Sequence, residues 1–179
     1  DTAYRHLSDS WLQTRKCKGR EIIFLIRPME MDYKEGTRRF FAYQGDDMIG
    51  FIFFDPIYEN GEIIGYVPNI SRASEKFPQG IFYMLMASAF EAFKAEGIPF
   101  VFLGLSPLAM DYPVQSHESR PLRWMQEMTL KYANFLYNFK GIDFTKSRFR
   151  GEEEATYAVH KRAIPAKEFV CMFKICNVI

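Results

Sequence analysis

Residues 80–97 read GIFYMLMASAFEAFKAEG, and this stretch decides the architecture. Ile81, Phe82, Leu85, Met86, Ala89, Phe90 and Phe93 recur at intervals of three and four, which predicts a helix over Gly80–Glu96. Gly97 stands where a residue of positive φ closes such a helix. The flanks change period. Ile98–Leu103 (IPFVFL) is a short, wholly apolar run and is expected to be a buried strand. Upstream, Glu21–Arg27 (EIIFLIR), Arg38–Gln44, Met48–Phe54 (MIGFIFF) and Glu62–Val67 are rich in β-branched and aromatic residues. The turn Gly45-Asp46-Asp47 and the hairpin signal Asn60-Gly61 separate the last three, so they read as consecutive antiparallel strands.

The ends of the chain are helical in pattern. Tyr4, Leu7, Trp11 and Leu12 fall on a helical repeat, and Ser8 to Lys16 reads as an amphipathic helix ending before Gly19. Pro121–Phe139 is expected as a second long helix offering Trp124, Met128 and Leu130 to the core. Ala155–Lys161 (ATYAVHK) is expected as a late strand, and a helix carrying Phe169, Val170, Met172 and Phe173 follows from Pro165. Helix, antiparallel strands, long helix, buried strand, helix and closing strand is the element order of the GNAT acyltransferase fold. The expectation is a single α+β domain over residues 1–179, in αβα layers, with a mixed, mainly antiparallel central sheet.

Composition narrows the function classes. The chain has 179 residues, 48% of them hydrophobic and 18 of them Phe, enough to build one sizeable core and to exclude disorder. A net charge of +1 excludes the strongly basic profile of a DNA-gripping protein. The charge is unevenly spread: residues 1–113 carry 12 Lys/Arg against 15 Asp/Glu, and residues 114–179 carry 11 against 7. Lys140, Lys146, Arg148 and Arg150 concentrate the cationic end around Gly141 and Gly151, a pattern suited to a phosphate-bearing partner or to a solvated loop. Cys17, Cys171 and Cys176 form no CxxC pair and no even set, which argues against a disulfide framework and a zinc site and for a reducing, cytoplasmic setting. No run of about 18 apolar residues appears, and no signal-peptide pattern opens the chain. The first residue, Asp1, reads as that of an excised or processed chain, leaving room upstream for a membrane segment or partner domain.

The common catalytic signatures are missing. Gly104-Leu105-Ser106-Pro107-Leu108 places a serine after a strand, but the second glycine of a nucleophile elbow is lacking and Pro107 blocks an immediate helix. His6, His117 and His160 have no metal-ligand spacing. No Walker loop or GxGxxG follows a strand. A CoA-dependent GNAT enzyme needs a glycine-rich turn whose bare N–H groups hold a pyrophosphate. The corresponding turn, Ser71–Gly80, has one glycine and adds Glu75 and Pro78, so no CoA cofactor is expected.

Three strings carry a resemblance: PNISRASEKFPQG (68–80), FLGLSPLA (102–109) and LYNFKGIDFTKSRFRGEEEATY (136–157). Together they resemble the C-terminal catalytic region of the phosphatidylglycerol lysyltransferases. There, a strand ends in Asp-Leu-Met-Arg with a Pro and a Gly at set distances, matched here by Arg72, Pro78 and Gly80. The family's Leu-Gly-Met-Ala-Pro-Leu is matched by Leu103, Gly104, Ser106, Pro107 and Leu108. Its Tyr-x-Phe-x-Gly run is followed in register by Tyr137, Phe139, Gly141, Ile142, Lys146, Arg148, Phe149 and Tyr157. The amino end from Ser8 to Leu12 looks like the start of the second of two GNAT repeats in those enzymes.

The resemblance implies transfer of an aminoacyl group from aminoacyl-tRNA to a hydroxyl of an anionic phospholipid or other small acceptor, at the cytoplasmic face of the membrane. No cofactor is implied; an upstream GNAT repeat or membrane domain is an expected partner. Arg72, Lys146 and Asn69 fall at the catalytic positions, and Arg148, Ser106 and Tyr157 at substrate-binding ones. Arg and Lys suit a phosphate-rich donor and an anionic lipid alike, and a fixed cation can stabilise a developing oxyanion. The family's aspartate is Asn69 here, and Gly151 and Glu153 replace its Pro and Trp, with Glu152–Glu154 adding negative charge. These departures keep two alternatives: a degenerate GNAT-like domain that binds a ligand or partner without chemistry, and a CoA-dependent acyltransferase.

Overall fold

The structure, a computed structural model, describes residues 2–13, 34–76, 78–106, 118–132, 139–157, 159, 161 and 164–176. The expected strand Glu21–Arg27, Pro107, Leu108, Tyr137, His117, His160 and Cys17 lie outside these residues, as do the side chains of Tyr4, Leu12, Leu130 and Phe173. The chain divides into two compact units, Asp1–Gly104 and Leu105–Ile179.

The first unit runs α1 (Thr2–Gln13), β1 (Arg38–Gln44), β2 (Asp47–Glu59), β3 (Glu62–Ala73), α2 (Pro78–Ala95) and β4 (Phe100–Val101). The four strands form one sheet in the order β1-β2-β3-β4; the first three pair antiparallel, and β4 joins β3 in parallel after the α2 crossover. This is a mixed, mainly antiparallel sheet in an α+β unit, consistent with a GNAT-like fold. Gly45 (φ 62°) turns β1 into β2, and Asn60 and Gly61 (φ 51° and 87°) both take the positive φ of a type I′ hairpin. At the end of α2 the Gly97 N–H donates to the Lys94 carbonyl (3.2 Å) and the Ile98 N–H to the Phe93 carbonyl (2.9 Å), closing the helix around Gly97 at φ 75°.

The sheet is filled from both faces, which explains why four consecutive residues of β2, Phe51–Phe54, are all buried. Neighbouring side chains of a strand point to opposite faces. On one face Phe93 of α2 stacks on Tyr66 (centroids 4.4 Å apart) and meets the edges of Phe54 (5.1 Å) and Phe40 (5.7 Å). On the other, Leu7 of α1 packs with Phe51, Phe53 and Ile70. The MIGFIFF stretch is thus apolar throughout because helices cover both of its sides.

β4 corrects an expectation. Ile98–Leu103 forms only two residues of strand, extended by the Phe102 N–H donating to the Tyr66 carbonyl at 2.8 Å, and Phe100 and Phe102 remain 44% and 48% exposed. A Cβ at Gly65 would lie 2.9 Å from both the ring and the carbonyl of Phe100, so the approach of β4 depends on that glycine.

The second unit contains α3 (Arg120–Tyr132), α4 (Phe139–Ser147) and α5 (Ala166–Ile175). In α3, Arg123 bridges Glu118 (2.9 Å) and Glu127 (3.5 Å). Trp124, expected in the core, is 61% exposed on this helix. The expected strand Ala155–Lys161 is not formed at its described positions, and Val159 is 97% exposed. The described elements of this unit are all helical, so these residues have no strand there to pair with. α5 follows Pro165 as expected, and the Phe169 N–H donates to the Pro165 carbonyl at 3.0 Å.

Candidate functional site

The six residues expected to carry function fall in both units. Asn69 and Arg72 lie on β3; Ser106, Lys146, Arg148 and Tyr157 lie in the second unit.

On β3 the strand register places Asn69 at a bulge. Ile70 pairs with Phe53 and Pro68 with Phe54, leaving Asn69 as an additional residue between them. Pro68 marks the spot in sequence, because a proline within a sheet is tolerated at a bulge where a ladder donor is already lost. The Asn69 amide Nδ2 donates to the Asp55 carboxylate on β2. Both side chains are half-buried. Thus a carboxylate sits beside the position where the motif's own aspartate is missing. Sequence pattern does not single out Asp55; its only signal is an acid directly after the apolar MIGFIFF run.

Arg72 takes a different setting. It is 4% exposed, its guanidinium carbon lies 4.1 Å from the centre of the Trp11 ring, and its Nη1 donates to the Ser71 carbonyl at 3.0 Å. A guanidinium is weakly hydrated and stacks on indole favourably, so this charge is accommodated in the interior. Trp11, read from sequence as part of a helical repeat, is therefore the ring against which a motif arginine is fixed.

The turn after β3 is short of phosphate-binding features. The Ser74 N–H is taken by the Ile49 carbonyl (2.8 Å), Glu75 and Lys76 are exposed, and Pro78 opens α2 without an N–H.

In the second unit Lys146 occupies the last turn of α4, where a cation is favoured by the carbonyl end of the helix. Its Nζ donates to the Leu105 carbonyl at 2.6 Å, in the Gly104–Ser106 segment that the resemblance singled out. Gly104, at φ 78°, makes the turn just before that carbonyl. Burial lowers the Lys146 ammonium to about 8, with Asp143 opposing the shift. This lysine therefore changes charge around pH 8. Ser106 is half-buried.

Arg148 is exposed and rests 5.6 Å from the centre of the Phe144 ring. Tyr157 is 57% exposed, and Glu152–Glu154 are exposed ahead of it. Lys146 and Arg148 thus make different contacts although they are two residues apart. An open cavity of about 310 Å³ in the first unit, lined by His6, Leu7, Asp46, Asp47 and Met48, touches none of the six expected residues. Among the described residues no cluster of His, Cys, Asp or Glu is placed to hold a metal, and no helix is long and apolar enough to cross a membrane.

The model of one protein family, described as phosphatidylglycerol lysyltransferase, C-terminal, matches residues 1–160. The chain belongs to that family. The resemblance drawn from its three strings is borne out at the level of family and domain, and the match takes in the bulge, Arg72, the Gly104–Ser106 segment and Lys146. Helix α5 lies beyond it. No curated protein and no solved structure matches the chain. Membership supports a lysyltransferase-type transferase at family level.

Proposed function

We propose that this domain transfers an aminoacyl group from aminoacyl-tRNA to a hydroxyl of an anionic phospholipid such as phosphatidylglycerol. The observation that carries the reading is the family match over residues 1–160. In this reaction the acceptor hydroxyl oxygen attacks the ester carbonyl carbon, and the bond to the ribose oxygen of the tRNA end breaks. The proton leaves the acceptor and ends on that ribose oxygen. No oxidant, metal or CoA enters the balance.

The developing negative charge on the carbonyl oxygen needs a fixed donor, and the phosphates of both substrates need cations. Lys146 suits the first of these roles, because its Nζ is held by the Leu105 carbonyl and keeps further N–H donors in a partly desolvated setting, where electrostatic interactions are stronger than in water. Arg148, exposed near the end of α4, suits contact with phosphate, and Ser106 and Tyr157 suit hydrogen bonds to substrate hydroxyls. Arg72, stacked on Trp11, fixes the end of β3 next to the bulge and places its charge there. Asn69 acts from the bulge itself.

A second reading, a binding domain without chemistry, is favoured by Asn69 in place of the motif aspartate. The two separate in one assay. Radiolabelled amino acid on a mixed aminoacyl-tRNA pool is offered with a total lipid extract to the full-length protein and to Lys146→Ala and Arg72→Ala. Label entering the lipid fraction, and lost in both variants, supports the transferase. No transfer of any amino acid by a folded full-length protein supports the binding domain.

A further inference from the structure

Trp124 takes the proposed reaction one step further, and the inference rests on that reading for its ligand. We infer that Trp124, bare on the outer side of α3 beside Arg120, is a stacking platform for a base at the single-stranded 3′ end of the donor tRNA.

Three observations on α3 carry it. The first is exposure. Trp124 is 61% exposed, and among the described residues no ring, cation or hydrogen-bond partner lies against it. The other tryptophan of the chain, Trp11, has the Arg72 guanidinium over its ring. Tryptophan is highly buried on average, so a bare indole on a helix has a ring face to offer to something outside the fold. The second is the company it keeps. Arg120, Trp124, Glu127 and Lys131 follow one another at intervals of four, three and four, which sets them in one stripe along α3, and all are exposed. Arg120 stands one turn before the ring and suits the phosphate that adjoins a stacked base. Glu127 is the acid of the stripe, and Arg123 Nε, 3.5 Å from its carboxylate, offsets part of its charge. Residues 114–179 as a whole carry 11 Lys/Arg against 7 Asp/Glu, so the stripe lies in the cationic part of the chain. The third is polarity. Apart from the indole the stripe offers charged side chains, too little apolar area to enter a bilayer, whereas a base needs one ring face and a nearby cation. The 3′ end of a tRNA is single-stranded, and its bases are free to stack on such a ring.

The test is fluorescence titration of the full chain carrying Trp11→Phe, in which Trp124 is the sole tryptophan. The probes are the single-stranded RNA ACCA, a blunt RNA duplex and vesicles of phosphatidylglycerol. ACCA is expected to quench Trp124, and the duplex and the vesicles to leave it nearly unchanged. With labelled ACCA and the otherwise unaltered chain, Trp124→Ala should weaken binding about tenfold, and Trp124→Phe, which keeps a ring, by less. Arg120→Gln should weaken binding and lower its salt dependence by about one phosphate contact. No quenching by ACCA, or binding unchanged in a folded Trp124→Ala, overturns the inference. Quenching by the vesicles alone gives the ring to a lipid surface, and equal binding of the duplex leaves only an effect of charge; either overturns it as well. Should Trp124→Ala fail to fold, the Trp11→Phe titration decides, since it keeps Trp124 in place. ACCA binding at Trp124 without any aminoacyl transfer would defeat the proposed function alone. Transfer whose KM for aminoacyl-tRNA is unmoved in Trp124→Ala would defeat the stacking platform alone.

Discussion

The guanidinium of Arg72 lies over the ring of Trp11, 4.1 Å from its centre, tying helix α1 to the end of strand β3. With Arg72 only 4% exposed, the indole is a principal neighbour of a charge held away from water. Trp11→Ala is therefore expected to cost about 2 kcal/mol, less than the roughly 3–5 kcal/mol of a fully buried aromatic because Trp11 is only half-buried. In a double-mutant cycle with Arg72→Ala, urea denaturation should show a coupling of about 1 kcal/mol. Strict additivity of the two losses would mean that the stacking contributes nothing.

Gly50, near the start of β2, faces α2. A Cβ there would run into the Ile81 Cγ2 and come within 3.3 Å of the Arg72 carbonyl. Gly50→Ala should destabilise by about 1–3 kcal/mol through overpacking. Ile81→Ala in the Gly50→Ala background should cost less than it does alone, since it vacates the space that the added methyl needs. Thermal melts of the four proteins check this, and equal costs in both backgrounds would refute the contact.

These two contacts show what the sequence could and could not reveal. The α2 helix and the strands Arg38–Gln44, Met48–Phe54 and Glu62–Val67 were legible because apolar periodicity and the Asn60-Gly61 turn are local signals. The strands run on to Glu59 and Ala73, past Pro56 and Pro68, because prolines sit where pairing is already interrupted: Pro56 beyond the last β1 pair and Pro68 at the bulge. The IPFVFL run misled because hydrophobicity alone cannot say that a strand will end after two residues. Arg72, Asn69 and Lys146 were singled out as candidates through motif spacing. Asp55 was not, because strand register brings it to Asn69 from 14 positions away.

Arg38 and Glu96 form a two-pronged ion pair, with Arg38 Nη2 2.7 Å from Glu96 Oε1, and the arginine also lies 5.6 Å from the centre of the Phe93 ring. The arginine's hydrogen bond holds the Glu96 carboxyl below its ordinary value. A carboxyl lowered by folding adds stability above its unfolded pKa, and that stability is lost as pH falls through the folded one. The side chains are 34% and 43% exposed, so the contribution is expected to stay below about 1 kcal/mol and to shrink in salt. Glu96→Gln should remove it at pH 7 and cost less at pH 3, as the carboxyl loses its charge. An equal loss at both pH values would point to packing and not charge.

Lys146 makes the sharpest pH prediction. Burial brings its ammonium down to about 8 from an ordinary value near 10.5. Between those values the unfolded chain holds a proton that the folded one has released, so stability gained from this group rises with pH across that window and is least below it. Activity should run the other way. If the reaction uses the positive charge of Lys146, transfer falls as pH rises through about 8, because the neutral amine is a weaker electrostatic partner for an oxyanion or phosphate. Lys146→Arg, charged at every accessible pH, should lower the rate at pH 7, since a planar guanidinium does not reproduce the Nζ contact with the Leu105 carbonyl, yet abolish the fall above pH 8. Rate profiles of the two proteins from about pH 6.5 to 9.5 decide it. An alkaline fall that persists unchanged in Lys146→Arg would assign the titration to another group and leave Lys146 as a brace for the Gly104–Ser106 segment.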